Sequence, residues 1–142
     1  MTYYAVIDTN VLVSAMLNED SVPGKIVNAA ISGVITPLIN FDIFMEYSEV
    51  LSRAKFRFDQ SRVNTLLGDF IARAILVNAG PITDFVPDPK DVVFYEVVME
   101  ARKTKDARLV TGNKRHFPQE TFVVSPKEML DIIRYGSIQT EA

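Results

Sequence analysis

Short apolar runs that stop abruptly at a polar residue, alternating with helix-period stripes, constrain this chain more than any other feature. Tyr3 to Ile7 (YYAVI) is a β-rich run cut off at Asp8 and reads as a buried strand. Val34 to Ile39, Ala74 to Val77, Ala107 to Val110 and Thr121 to Val124 are further short strands. Pro37 draws the second of them toward a sheet edge, because proline cannot donate to a ladder. Helices fill the intervals. Asp8-Thr9-Asn10 opens VLVSAML, Pro23 opens a helix closed at Gly33, and Asn40 caps a helix running to about Ala54. Val63, Leu66, Leu67, Phe70 and Ile71 form one helical stripe, and Phe94, Val97, Val98 and Ala101 another. Ser125-Pro126-Lys127-Glu128 has the capping-box order before a last helix that Gly136 ends. The proline-rich stretch from Gly80 to Asp91 is a loop. This alternation predicts an α/β fold with a parallel sheet covered by helices on both faces.

Ligands of such open sheets bind beyond the carboxyl ends of the strands. The polar residues just past those ends are Asp8, Asn40, Asn78 and Thr111-Gly112-Asn113. What chemistry they could perform is narrowed by composition. The chain lacks cysteine and holds one histidine, His116, which removes thiolate and histidine-rich metal sites and disfavours a Ser-His-Asp triad. Carboxylates, hydroxyls, amides and bases remain. The 142 residues suit a single domain, 1–142, with a flexible tail expected from about residue 137. The amino terminus lacks the basic start and apolar core of an export signal, and the longest charge-free run, Ile26 to Phe41, is broken by polar residues. A cytoplasmic protein without a membrane span is expected.

Two carboxylates are selected by helix phase. In the helix after the second strand, Ile43, Tyr47, Val50, Leu51 and Ala54 define the apolar stripe. Glu46 lies about 90° from its centre and Glu49 about 150° away, so Glu46 can reach over the sheet edge while Glu49 faces water. Asp91 stands three residues before Phe94 and enters on the buried side of its helix. Asp8 and Asp91 could each also be simple helix caps. Carboxylates converging on one edge repel one another unless a cation joins them, and an all-oxygen set suits Mg²⁺ or Mn²⁺. Such an ion can activate water for phosphodiester attack.

Net charge is −3, from 15 basic and 18 acidic residues, which does not advertise a nucleic-acid partner. Yet the span from Glu100 to Phe117 holds six bases, among them Arg102, Lys103, Lys114 and Arg115, against two acids. That run reads either as solvated surface or as a patch steering a phosphate backbone.

The strings AVIDTNVLVSA, FMEYSEVLSRAKF, PDPKDVVFYEVV and LVTGNKRHFP, in this order, resemble the PIN-domain nucleases, most closely the small prokaryotic branch of toxin components of toxin–antitoxin systems, relatives of the VapC-like toxins. The resemblance covers about Tyr3 to Ile133. It implies a three-layer α/β/α fold with a mostly parallel five-stranded sheet and a Mg²⁺- or Mn²⁺-dependent ribonuclease site. Asp8, Glu46 and Asp91 match the metal-binding, catalytic carboxylates, and Thr9, Asn10 and Thr111 match the polar residues around them. Asn113 falls where many members carry a fourth carboxylate, in a TGD string, so it is a candidate ligand of reduced charge. RNA as substrate, a small antitoxin as partner and a homodimer are expectations of the resemblance alone. Two other readings compete. One is a catalytically weak module that binds RNA or protein. The other is a haloacid-dehalogenase-like phosphotransferase, whose D-x-D strand end would need an aspartate where Asn10 stands.

Overall fold

The computed structural model describes residues 2–139. Strand β1 (Tyr3–Ile7) leads into helices α1 (Thr9–Leu17) and α2 (Val22–Ser32), then β2 (Ile35–Ile39), α3 (Phe41–Leu51) and α4 (Gln60–Arg73). The chain continues through β3 (Ile75–Leu76), α5 (Val92–Arg102), β4 (Ala107–Val110), β5 (Val123–Val124) and α6 (Pro126–Tyr135). The five strands form one sheet in the order β3-β2-β1-β4-β5, and every pair is parallel. The α/β architecture predicted from the alternation is therefore the observed one.

Parallel strands buried on both faces read as continuous apolar runs rather than alternating ones. Ala5, Val6 and Ile7 of β1 are all buried, as are Leu109 and Val110 of β4. Helix α5 packs against β4, β1 and β2, while α2 packs against β2 and α6. At the end of α2, Gly33 adopts φ of 92°, a left-handed conformation that glycine reaches without steric cost.

Pro37 is an exception to the sequence expectation, because β2 lies between β1 and β3 and is not an edge. The Tyr3 N–H donates to the Val34 carbonyl, so alternation along β2 turns the nitrogen of Pro37 toward the β3 side. Pairing with β3 begins only at Leu38, and no ladder bond is lost. Helix α3 also stops at Leu51, short of Ala54. Ser52 closes it, and the chain makes a short 3-10 turn over Ala54–Phe56 that ends with Arg57 at φ of 55°. In α4 the buried stripe is narrower than its periodicity implied. Val63, Leu67 and Phe70 are buried, whereas Ile71 is exposed beside Phe41 and Leu76.

The tail expected from about residue 137 falls partly at 140–142, outside the described residues; within them, the Gln139 N–H donates to Asp131 Oδ2 at 3.2 Å. No helix among the described residues is long and apolar enough to cross a membrane.

Candidate active site

The connections from β1 lead toward β2 on one side, and β4 returns to pair with β1 on the other. The sheet order thus reverses between β1 and β4, and a crevice opens beyond the carboxyl ends of two such strands. Asp8 directly follows β1 and Thr111 directly follows β4. The Thr111 hydroxyl, fully buried, donates to Asp8 Oδ2 at 2.8 Å. The Asn10 amide nitrogen stands 3.4 Å from the same carboxylate oxygen, and its carbonyl oxygen accepts from the Gly112 N–H at 3.0 Å. A Cβ on Gly112 would lie 3.3 Å from that Asn10 oxygen, tight enough to favour glycine where the loop after β4 crosses the start of α1.

Glu46 reaches the same edge from α3, where it accepts a hydrogen bond from the Thr9 hydroxyl. The next residue, Tyr47, is fully buried and donates its hydroxyl to the Ile7 carbonyl at 2.5 Å. Its ring stands edge-on to Phe70, with centroids 5.6 Å apart. A buried aromatic with a satisfied hydroxyl is a rigid peg, and this one ties α3 to the end of β1, one residue before Asp8. Glu49, by contrast, is exposed and paired with Arg53 at 2.9 Å. The two glutamates diverge as their helix phase requires.

Asp91 arrives at the start of α5 and meets a residue absent from the list of sequence candidates. His116 Nδ1 lies 3.1 Å from Asp91 Oδ2, and Nε2 lies 2.8 Å from the amide nitrogen of Asn113. Asn113 therefore directs its side chain to His116, while its backbone N–H donates to the Thr111 hydroxyl at 3.0 Å. The only sequence signal for His116 was its place in the TGN-x-x-x-F string.

Asp8 begins α1 without making a side-chain cap bond, so capping does not account for its carboxylate. Asp91 is already helical, at the end of a 3-10 turn over Pro89–Asp91 whose cap is Asp88, accepting from the Lys90 N–H. The three acids sense one another. Burial lifts the Asp8 carboxyl from 3.8 to about 6; the Thr111 hydroxyl opposes the lift, and Asp91 and Glu46 add to it. Burial also raises Glu46, with the Thr9 hydroxyl pulling it back and Asp91 and Glu49 raising it further. Asp91 is raised by burial and by Asp88, against the influence of His116.

The PIN-domain profile matches residues 4–115. The chain belongs to the PIN-domain family. PIN domains are generally nucleases. The chain is also similar to an uncharacterized protein of Methanocaldococcus jannaschii, 28% identical over 112 residues that cover 77% of this chain and 70% of that protein. No solved structure matches the chain.

In this PIN domain the donor chemistry suits a hard cation: the acids supply oxygen only, and among the described residues neither Asp8 nor Glu46 has a Lys or Arg ion-pair partner. The same residues hold no group of three His, Asp or Glu side chains drawn tightly enough together to enclose a metal ion. Asn10, for its part, ties α1 to the loop after β4 with its amide and has no acidic proton to offer, which leaves the phosphotransferase reading without its second aspartate.

The basic run of the PIN domain does not stay together. Arg102 and Lys103 terminate α5, about 16 and 18 Å along the helix axis from Asp91. Arg102 donates to the Ala107 carbonyl at 2.7 Å and stacks 4.3 Å from the Phe122 centroid, while Lys103 pairs with Glu100. Strand β4 then carries the chain back to the carboxyl edge, where Lys114 and Arg115 follow the site loop. Lys114 pairs with Glu128 at 2.8 Å. Arg115 is exposed. A run that is contiguous in sequence thus becomes two patches at opposite ends of the sheet, because a strand lies between them.

Proposed function

We propose that this PIN domain is a Mg²⁺- or Mn²⁺-dependent endoribonuclease that hydrolyses RNA phosphodiester bonds at the crevice between β1 and β4. The observation that supports the reading is that Asp8, Glu46 and Asp91, from three distant parts of the chain, are each raised by burial, and that Asp8 and Glu46 also sense the charge of Asp91. These three would hold the ion. Thr111 and Thr9 orient the Asp8 and Glu46 carboxylates, and Asn10 fixes the loop after β4 against α1. When bound, a divalent ion supplies positive charge for the phosphate and activates water for attack.

In this reading Asn113, its amide nitrogen turned to His116, adds no charge to the ion's surroundings, so three carboxylates suit one divalent ion better than two. Lys114 and Arg115 are the bases placed to meet the RNA backbone. A toxin role, a small antitoxin, a homodimer and a cytoplasmic setting complete the reading and rest on the family resemblance.

Incubating the protein with single-stranded RNA and either metal tests it. Cleavage is expected with Mg²⁺ or Mn²⁺ and lost with EDTA. Asp8→Asn should lower the rate at least 100-fold, while Glu49→Gln leaves it within twofold; removal of a group that stabilises the transition state commonly has effects of about that size. Absence of metal-dependent cleavage, or equal losses from both substitutions, sinks the proposal. RNA binding without cleavage would favour a catalytically weak binding module. That second reading draws support from Asn113, whose amide stands in place of a fourth carboxylate and faces His116.

A further inference from the structure

Asp91 Oδ2 is buried and lacks a hydrogen-bond partner among the described residues. His116 Nδ1 stands 3.1 Å away, close enough for an ion pair though not aligned as a hydrogen bond. With Asn113 directing its amide nitrogen at Nε2, that ring atom must accept, because an amide nitrogen only donates. The proton of the neutral ring then sits on Nδ1, facing Asp91.

The ring is held in place by its own turn. The 3-10 turn over Lys114–His116 is closed by the His116 N–H to the Asn113 carbonyl and the Phe117 N–H to the Lys114 carbonyl, each at 3.1 Å, and Phe117 is buried. The imidazole itself is 45% exposed, so it contributes little packing, and its polar contacts are what remain to explain it. At the other end of the loop, Thr111 donates to Asp8.

We propose that His116 is a positioning residue for Asp91, and that the segment from Thr111 to His116 is one bracket setting two carboxylates, Asp8 through Thr111 and Asp91 through His116. An imidazole standing beside one carboxylate oxygen leaves the other free to face an ion. Partners that orient ligands in this way typically govern metal affinity by about 10- to 100-fold. The inference rests on the reading of Asp8, Glu46 and Asp91 as an ion-binding set.

Calorimetric titration of Mn²⁺ into the wild type, Asp8→Asn and three His116 variants tests it, with thermal unfolding of each metal-free protein alongside. Asparagine places an amide nitrogen near the position of Nδ1, and glutamine places one near Nε2. His116→Ala and His116→Gln should therefore weaken Mn²⁺ binding about 10- to 100-fold, and His116→Asn should recover most of it, with melting temperatures unchanged. Wild-type affinity in His116→Ala, or recovery by glutamine as full as by asparagine, overturns the inference. So does a fall in melting temperature common to all three without recovery by asparagine, which would make His116 a structural anchor. If His116→Ala binds normally while Asp8→Asn does not, this inference fails and the ion-binding reading stands. No Mn²⁺ binding by the wild type, or wild-type affinity in Asp8→Asn, removes both.

Discussion

The six α-helices among the described residues do not all begin alike. Ser21, Asn40, Asp59 and Ser125 each turn a side-chain oxygen onto a backbone N–H of their own first turn. Asp8 occupies that position at α1 in the same extended conformation and does not, while α5 grows out of a 3-10 turn over Pro89–Asp91 that Asp88 caps. A cap residue that caps stabilises its helix by about 1 kcal/mol. A carboxylate that forgoes that bond, sits largely out of water and faces other carboxylates is destabilising, and such residues gather at functional sites. The comparison therefore separates caps that serve the fold from Asp8, a carboxylate the fold tolerates in the same local position.

The largest expected effect tests the cost at Asp8. Its carboxyl is lifted to about 6 from 3.8, so the unfolded chain ionises at lower pH than the folded one. The stability given by the neutral form is fully present below about pH 3.8 and is lost as the pH rises through about 6. At 1.36 kcal/mol per pH unit, the loss reaches about 3 kcal/mol by pH 8. An amide at this position does not titrate. Urea unfolding in EDTA should therefore show Asp8→Asn gaining about 3 kcal/mol on the wild type between pH 4 and pH 8, even as cleavage disappears. A difference that stays flat across that range would mean Asp8 is not a strained carboxylate, and the contrast with the true caps would collapse.

Tyr47→Phe comes next. It removes the hydroxyl that holds the end of β1 to α3 and should destabilise by about 1–3 kcal/mol, the range for breaking a buried hydrogen bond. Equilibrium denaturation measures this. Glu46 depends on the same helix, so Mn²⁺ affinity should fall along with stability. Substitution at a working cap should do only half of that. Ser125→Ala disrupts the capping box in α6 and should cost about 1 kcal/mol while cleavage remains at the wild-type rate. Asp91→Asn should show the reverse, with stability kept and cleavage lost. A Ser125→Ala protein that cleaves poorly at full stability would blur the division.

How much of this was legible in the sequence depends on whether a feature follows from periodicity. Strand ends and helix phase are periodic, so the sheet, the placement of Asp8 and the divergence of Glu46 from Glu49 could be read directly. Pro37 was misjudged because an edge was assumed from the missing N–H, whereas a half-length neighbouring strand serves equally well. His116 depends on a single 3-10 turn that folds the loop back onto Asp91, and one turn leaves no period to read. The basic run was misleading for a different reason. Counting charge along the chain ignores direction, and β4 reverses the chain's position between Lys103 and Lys114.

That reversal gives the comparison its finest test, between two exposed bases of the same run. Arg115 lies on the loop that carries Thr111 and His116, among the described residues without an ion-pair partner. Lys103 lies at the far end of α5, paired with Glu100 at 3.1 Å. If RNA runs across the carboxyl edge, Arg115 meets its phosphates and Lys103 does not. Each phosphate contact contributes about 0.7 to the slope of log affinity against log salt for a single strand. Arg115→Glu should therefore flatten that slope by about 0.7 or somewhat more and weaken binding at low salt. Lys103→Glu should leave the slope unchanged, since at about 18 Å from Asp91 along the helix it stands beyond the Debye length of roughly 10 Å at 0.1 M salt. Fluorescence anisotropy with a short labelled RNA across a salt series resolves the two. Equal slopes in both variants would mean that overall charge, and not the placement of Arg115 beside the site, draws the RNA in.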